Sequence, residues 1–256
     1  MGGSSSKNDF SNQIGTGNAG PPGDMELEID ADMPMLDLRL KRLDKLPWDL
    51  SVLTNLKELD LSMNLYTTIP DQCLWKDGHL ATSLTKLSIN QNRIQVIPEE
   101  IGEMKNLNTL CIYDNTLTTL PLNICKLGSL TQLSVYNNFI TSLPPEFCQI
   151  PKLAQAHLSN NRLTDMPDGM EKMTALRALF LDGNTLQDLN DGFFKMPAIQ
   201  ELTLANNTLK TIPPELANLT TLTELYLNGA MGSKPVEIPE AVKKCGALKD
   251  CYEGQI

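Results

Sequence analysis

The chain has a pattern of apolar and polar positions that recurs every 23 residues. The segments "YDNTLTTLP" (Tyr113 to Pro121) and "YNNFITSLP" (Tyr136 to Pro144) show it clearly, because their Asn, apolar and Pro positions coincide. The recurring prolines are Pro47, Pro70, Pro98, Pro121, Pro144, Pro167 and Pro213. One gap holds five extra residues, and in one double gap Asn190 replaces the proline. A fixed period of this size indicates a repeat architecture, in which each repeat buries its apolar face against its neighbours.

Positions within each repeat predict a short strand, a bend and a return. Counted back from the proline, positions −14, −11, −9 and −4 are almost all apolar; before Pro121 they are Leu107, Leu110, Ile112 and Leu117. The alternation at −11 and −9 is typical of a strand with one buried face. The proline ends that element. Apolar residues at +3 and +6 then predict a helical or 3₁₀ return on the outer side.

Position −6 is almost always asparagine. The column consists of Lys41, Asn64, Asn92, Asn115, Asn138, Asn161, Asn184, Asn207 and finally Ala230. A tight bend after a short strand leaves backbone N–H and C=O groups without a ladder partner, and an Asn amide offers both a donor and an acceptor. We therefore predict a buried ladder of asparagines. The alternative is an Asn in a surface turn, which would not need apolar neighbours at fixed offsets.

The complete pattern, L-x-x-L-x-L-x-x-N-x-L-x-x-L-P over about residues 33–251, resembles the leucine-rich repeat. Its 23-residue Leu-Pro form is similar to the intracellular subclass of Ras-suppressor-like proteins and Ras-pathway scaffolds. The resemblance implies an α/β solenoid of about nine repeats, with a parallel sheet on the concave face and short helical or 3₁₀ turns outside. It also implies a non-enzymatic adaptor in signalling, with a small GTPase or a phosphatase as partner. Terminal repeats are often atypical because they meet water, which fits Lys41 and Ala230.

Side chains at positions −10 and −8 are predicted to point out of the concave sheet. Same-column residues of adjacent repeats lie about 4.8 Å apart, so Tyr113 should touch Tyr136 and His157 should touch Phe180. Aromatic residues are enriched at the anchors of protein interfaces. The predicted partner-binding residues are Tyr113, Asp114, Tyr136, His157, Phe180, Asp182 and Tyr226. The alternative is lateral stacking that only stiffens the sheet.

Composition narrows the class of function. The chain has 41% apolar and 5% aromatic residues, which favours an aliphatic core, and its net charge of −10 argues against nucleic-acid binding. No segment approaches 18 consecutive apolar residues. Six cysteines without a CxxC pair and two distant histidines indicate reduced thiols and no metal site. The "GTGNAG" segment lacks a preceding strand, so no cofactor is expected.

Two other classes of function remain open at this point. His157 with Ser134 or Cys111 on the concave face imitates a base with its nucleophile, but an open sheet excludes little water, so an enzyme is disfavoured. A structural component of a large cytoskeletal assembly is the other alternative. Cys125 and Cys148 share a column one repeat apart, and a disulfide between them is disfavoured in a cytosolic protein.

The first eight residues, "MGGSSSKN", match the N-myristoylation pattern M-G-x-x-x-[ST] with Gly2 and Ser6. The alternative is a cloning remnant rich in Gly and Ser. A single myristoyl chain binds membranes weakly and reversibly. The sequence thus predicts an arm over residues 1–32, a repeat domain over residues 33–256, and a cytoplasmic monomer in peripheral contact with the cytoplasmic face of a membrane.

Overall fold

The computed structural model describes residues 32–46, 50–70, 79–234, 237–244 and 250–252. The predicted N-terminal arm with Gly2 lies outside the described residues. Ten short strands form one parallel sheet in which sequence order is spatial order. They are β1 Met35–Asp37, β2 Glu58–Asp60, β3 Lys86–Ser88, β4 Thr109–Cys111, β5 Gln132–Ser134, β6 Gln155–His157, β7 Ala178–Phe180, β8 Glu201–Thr203, β9 Glu224–Tyr226 and β10 Asp250–Tyr252. The predicted solenoid is confirmed.

The strands pair one repeat apart, so that equivalent residues of neighbouring repeats face each other. Leu87 pairs with Leu110, and Leu110 pairs with Leu133. The middle residue of each strand from β1 to β9 is buried. These residues, leucines except for Ala156 in β6, stack into one continuous core, which is mainly aliphatic as the composition predicts. Tyr66, Phe147 and Phe193 are exceptions that pack fully inside.

The convex side returns the chain through seven 3₁₀ segments in the described residues: Leu50–Val52, Glu99–Glu103, Leu122–Lys126, Pro145–Gln149, Met170–Lys172, Phe193–Lys195 and Pro214–Asn218. Two short α-helices, His79–Ser83 and Glu240–Lys243, occupy equivalent places. Pro98 begins the return in an extended conformation, and the N–H of Met104 closes it on the carbonyl of Ile101. The predicted 3₁₀ return is confirmed, and the apolar +3 residue Ile101 is buried under it.

The asparagine column forms the predicted buried ladder. Asn138 Oδ1 accepts the Leu117 N–H at 2.9 Å, and Asn138 Nδ2 donates to Ile112 O at 3.0 Å. The same amide nitrogen also donates to Val135 O at 3.0 Å and to Tyr136 O at 3.2 Å. Each asparagine therefore satisfies its own bend and joins it to the preceding repeat. Equivalent bonds are made by Asn64, Asn92, Asn115, Asn161, Asn184 and Asn207.

At the two column positions without asparagine, Ala230 and Lys41, the hydrogen bonds of the bend are made in different ways. Ala230 is fully buried, and its backbone carbonyl accepts the Leu209 N–H at 2.8 Å, the bond that an Asn Oδ1 makes in the other repeats. Lys41 is exposed, and its N–H donates to Asn64 Oδ1 at 3.1 Å. The bend at Ala230 thus keeps its hydrogen bond without an asparagine, whereas the first bend differs from the others by the left-handed backbone of Arg42, with φ at 57°.

The residue before each column position has a left-handed backbone, which the repeat pattern alone does not predict. The φ angles lie between 52° and 65° at Leu40, Met63, Gln91, Asp114, Asn137, Asn160, Gly183, Asn206 and Gly229. Asn, Asp and Gly tolerate this conformation better than other residues, and they fill six of these nine positions. At Gly183 a Cβ atom would lie only 2.2 Å from Asn160 Oδ1. The run of Asn, Asp and Gly at this position is the sequence signal that could have revealed the turn.

Candidate protein-binding face

Four rings form two stacked pairs on the concave face. The rings of Tyr113 and Tyr136, which follow β4 and β5, have centroids 4.4 Å apart and an interplanar angle of 9°. The rings of His157 and Phe180, at the ends of β6 and β7, have centroids 4.3 Å apart and an angle of 12°. All four side chains are half-buried. The predicted neighbours are confirmed, and we call these four residues the aromatic stripe.

Burial favours the uncharged form of two residues in the stripe. Burial, assisted by Tyr113 and Asp114, raises the pKa of the Tyr136 phenol to about 12. Burial also lowers the pKa of His157. Tyr136 therefore keeps its hydroxyl proton, and His157 favours the uncharged imidazole. The stripe offers apolar ring surface with hydrogen-bonding edges rather than a charge.

The structure does not bring Tyr226 into the stripe. Tyr226 pairs in register with Thr203, which in turn pairs with Phe180, so one repeat separates the two aromatic residues. Thr203 is buried and places no ring between them. The Tyr226 hydroxyl instead donates to Glu224 Oε2 at 3.0 Å. Tyr226 is thus on the predicted face but stands apart from the stacked pairs.

The two predicted flanking carboxylates are engaged in lateral hydrogen bonds. Asp114 accepts from Asn137 Nδ2 at 2.6 Å and from Gln91 Nε2 at 3.4 Å. The Asp182 carboxylate accepts from the hydroxyls of Ser159 and Thr203. Both groups hold adjacent repeats in line on the concave side. Their contact with a partner stays a prediction.

The expectation that all −10 and −8 side chains face solvent is wrong for four short residues, Ser62, Ser88, Asn90 and Thr203, which are buried. Ser62 Oγ accepts the Asn90 N–H at 3.1 Å, and Asn90 Oδ1 accepts the Tyr113 N–H at 3.2 Å. With strands about 4.8 Å apart, a short polar side chain reaches the backbone of the next strand, and its taller neighbours cover it. The other residues at these positions, from Ala205 and Ser159 to the tyrosines, are at least partly exposed.

The geometry does not assemble a nucleophile with a base. The His157 ring is stacked on Phe180, and no hydrogen bond among the described residues joins it to Ser134 or Cys111. Burial raises the pKa of the Cys111 thiol, which disfavours the reactive thiolate. Cys111, Cys125 and Cys148 are all free thiols.

Within the part of the chain that the structure describes, no group of three or more His, Cys, Asp or Glu residues is placed to hold a metal ion. No described helix is long and apolar enough to cross a bilayer. The concave face is therefore characterised by its rings and its lateral polar bonds.

Charge is distributed unevenly along the concave face. In the first repeats Arg39 pairs with Asp37 at 2.6 Å, and Lys86 pairs with Glu58 at 3.5 Å. Beyond the stripe, Glu201 and Glu224 face each other in adjacent strands. Burial, Glu224 and Asp182 raise the pKa of Glu201. The stripe thus lies between the first repeats, where acidic and basic side chains form ion pairs, and the later repeats, where two glutamates are adjacent.

A comparison with models of known protein families shows which family the chain belongs to. The family model described as "Leucine rich repeat" matches residues 82–138, 128–186 and 174–230, which together span more than half of the chain. The chain belongs to the leucine-rich repeat family. Proteins of this family generally mediate protein–protein interactions. No curated protein matches the chain significantly.

Solved structures of leucine-rich repeat proteins share the fold. A leucine-rich repeat protein of Leptospira interrogans is 27% identical with a TM-score of 0.62, and the match covers 86% of this chain and 66% of that one. The ectodomain of a plant membrane receptor kinase from Arabidopsis thaliana, solved with Casparian strip integrity factor 2, is 25% identical with a TM-score of 0.63. That match covers 82% of this chain and 28% of the receptor. This leucine-rich repeat chain therefore spans less than two thirds of the length of each of these structures.

Proposed function

We propose that this leucine-rich repeat protein is a non-enzymatic adaptor that binds a protein partner on the aromatic stripe. The observation behind the proposal is the placement of the rings. Phe147 and Phe193 fill the core, whereas Tyr113, Tyr136 and Phe180 stand on the sheet face with no core above them. Aromatic side chains are among those that most often anchor protein interfaces.

Lateral stacking and partner binding are compatible roles for the same rings. Each stacked pair covers one face of each ring and restricts its rotamers before any partner arrives. A side chain that is already ordered loses less conformational entropy on binding. The stacking that could stiffen the sheet therefore also prepares the rings as anchors.

The kind of partner is proposed from likeness alone. The Arabidopsis receptor ectodomain was solved in complex with another factor, which supports a protein or peptide ligand for this fold. The resemblance to Ras-suppressor-like repeats supports a small GTPase or a phosphatase, and hence an adaptor in intracellular signalling. We place the protein in the cytoplasm as a monomer.

Site-specific photocross-linking tests the proposed face. With a photoreactive phenylalanine analogue at Tyr136, irradiation in cells should yield a covalent adduct, because that ring would lie inside the interface. The matched control carries the same analogue at Lys152, which is exposed and follows the convex segment Pro145–Gln149. An adduct from position 152 with none from position 136 would contradict binding on the stripe.

We also propose that Gly2 is N-myristoylated and gives reversible contact with a membrane. The sequence pattern around Gly2 supports this proposal. The mass of the intact protein from a eukaryotic host should show Met1 removed and one myristoyl group added, and Gly2→Ala should lack that addition. Free or acetylated Gly2 would refute the attachment while leaving the proposed function of the stripe untouched.

A further inference from the structure

A second surface lies beside the concave face, on the loops between the column asparagines and the prolines. The residue that follows each column position stacks one per repeat, and we call the first six the flank ladder: Arg42, Leu65, Arg93, Thr116, Phe139 and Arg162. Their backbones connect the repeats. The Arg93 N–H donates to Tyr66 O at 2.8 Å, and the Arg162 N–H donates to Ile140 O at 2.9 Å. The ladder is therefore a regular row with one side chain per repeat.

Three of the six side chains in this row are basic and two are large and apolar, with Thr116 between Arg93 and Phe139. The Arg162 guanidinium lies over the Phe139 ring, 4.4 Å from its centroid, which shows that neighbouring rungs touch. Arg42, Arg93 and Arg162 are exposed, and none of them has an ion-pair partner within 4.0 Å among the described residues. No carboxylate among the described residues neutralises these three guanidinium groups, although Arg162 contacts the Phe139 ring.

The same flank collects most of the exposed apolar side chains. Eight large apolar side chains are exposed in the described residues. Leu65, Val96 and Phe139 lie on these loops, and Leu40 and Met63 directly precede the first two column positions; all five are between 38% and 70% exposed. Isolated exposed apolar residues are common on any protein surface. Five beside the same row, near three exposed arginines, give this side of the fold an amphipathic surface.

This surface is basic in a chain that is acidic overall. The six flank loops 40–46, 63–69, 91–97, 114–120, 137–143 and 160–166 contain five basic residues and three acidic ones, a net charge of +2. The basic residues are Lys41, Arg42, Lys45, Arg93 and Arg162, and the acidic ones are Asp44, Asp114 and Asp165. The whole chain has a net charge of −10. The charge that opposes the rest of the chain is thus concentrated where the apolar side chains are exposed.

We infer that the flank ladder is a docking surface for an anionic lipid bilayer. Exposed leucine, methionine and phenylalanine side chains enter the boundary between headgroups and acyl chains, while arginines extend their charges to the phosphates. A row that presents its side chains outward at regular spacing suits a flat surface. Anionic lipid attracts such basic residues within about a Debye length.

The inference extends the membrane contact proposed for Gly2. One myristoyl chain holds a protein only marginally, and stable anchoring needs a second contact. Insertion of an acyl group on Gly2 would hold the chain near the membrane, and Lys41 and Arg42 in the first repeat would supply the second contact from the chain itself.

Sedimentation with lipid vesicles tests the inference on the full chain. The Gly2→Ala protein is used first, so that the result does not depend on acylation. It should bind vesicles made of equal parts phosphatidylserine and phosphatidylcholine and dissociate from them at high salt. It should not bind vesicles of pure phosphatidylcholine. The variant Arg42→Gln/Arg93→Gln/Arg162→Gln should lower the partition coefficient at least about tenfold, since each basic side chain near the surface contributes roughly a fivefold factor.

A matched control separates the ladder from net charge. Lys126→Gln/Lys172→Gln/Lys195→Gln removes the same charge from exposed convex positions and should leave binding unchanged. Leu65→Asn/Phe139→Asn should weaken binding without changing its salt dependence, because the apolar contribution is not screened. Melting curves of all variants exclude unfolding as the cause.

Three results would overturn the inference. The first is that the Gly2→Ala chain does not bind the anionic vesicles. The second is that Lys126→Gln/Lys172→Gln/Lys195→Gln loses as much vesicle binding as the arginine variant. The third is that the chain binds a polyglutamate peptide instead of vesicles, and that this binding depends on the ladder arginines. The last result would assign the ladder to an acidic protein segment. Repeating the assay with the acylated chain then measures the contribution of Gly2 separately.

Discussion

Replacing Asn138 with alanine is expected to lower the free energy of unfolding by about 1–3 kcal/mol. The substitution leaves the buried Leu117 N–H, in the preceding repeat, without its acceptor. The carbonyls of Ile112, Val135 and Tyr136 each lose the Asn138 amide but keep a second donor. One buried backbone group is therefore left unpaired, at a cost of about 1–3 kcal/mol. Denaturant melts measure the loss.

Two comparisons make the Asn138 result specific. Asn218→Ala removes the same amide from an exposed position on a convex segment and should change stability by less than about 0.5 kcal/mol. Asn138→Asp keeps the acceptor for Leu117 but loses the donor, so it tests the carbonyl side of the ladder. A loss of less than about 0.5 kcal/mol for Asn138→Ala would mean that water replaces the amide, and the buried-ladder interpretation would then be wrong.

Replacing Tyr136 with alanine is expected to weaken partner binding by about 2 kcal/mol or more, which is roughly thirtyfold in affinity. The ring would be lost from the centre of the proposed interface, and Tyr113 would lose the neighbour that orders it. Because the rings are stacked, folding stability should also fall, by about 0.5–1.5 kcal/mol. Titration of the cross-linked partner, once purified, against each variant gives the affinity.

The control variants separate anchoring from stiffening. Tyr136→Phe keeps the stacked ring and should retain both stability and most of the affinity, since only the hydroxyl is removed. Lys152→Ala, on the outer side, should change neither. Equal affinity for Tyr136→Ala and the unmodified protein would move the binding site off the aromatic stripe. A loss of binding no larger than the loss of stability would assign the ring to sheet stiffening alone.

The fold could be predicted from the sequence because its main interactions repeat at a fixed spacing. Apolar residues such as Leu110 and Leu133 occupy equivalent positions, and in-register parallel pairing follows directly from that equivalence. Asn138 could be assigned to a buried bend because an amide is the side chain that supplies both missing backbone partners. The stacked pairs were predictable for the same reason, since residues 23 positions apart share a column.

Other features depend on dimensions that a sequence pattern does not contain. Ser62 and Asn90 are buried because a short side chain just reaches the backbone of the adjacent strand, which hydropathy cannot express. Tyr226 stands apart because Thr203 occupies the intervening strand. The flank ladder was missed because its members share a position but not a chemical type, so no consensus marks them. The surface is recognised only from the exposure of its side chains in the structure and from contacts between them, such as the one between Arg162 and Phe139.

The reach of the asparagine amides determines how the molecule responds to force. Each amide bonds only within its own repeat and to the one before it, as Asn138 does with Leu117 and Ile112. These hydrogen bonds therefore couple the stability of each repeat only to that of its nearest neighbours, and none of them links distant repeats. The column is weakest at Lys41 and at Ala230, where the amide is missing. Force applied to the two ends of the solenoid should therefore unfold the repeats one at a time, beginning at an end. The central repeats that carry the aromatic stripe should stay folded longest.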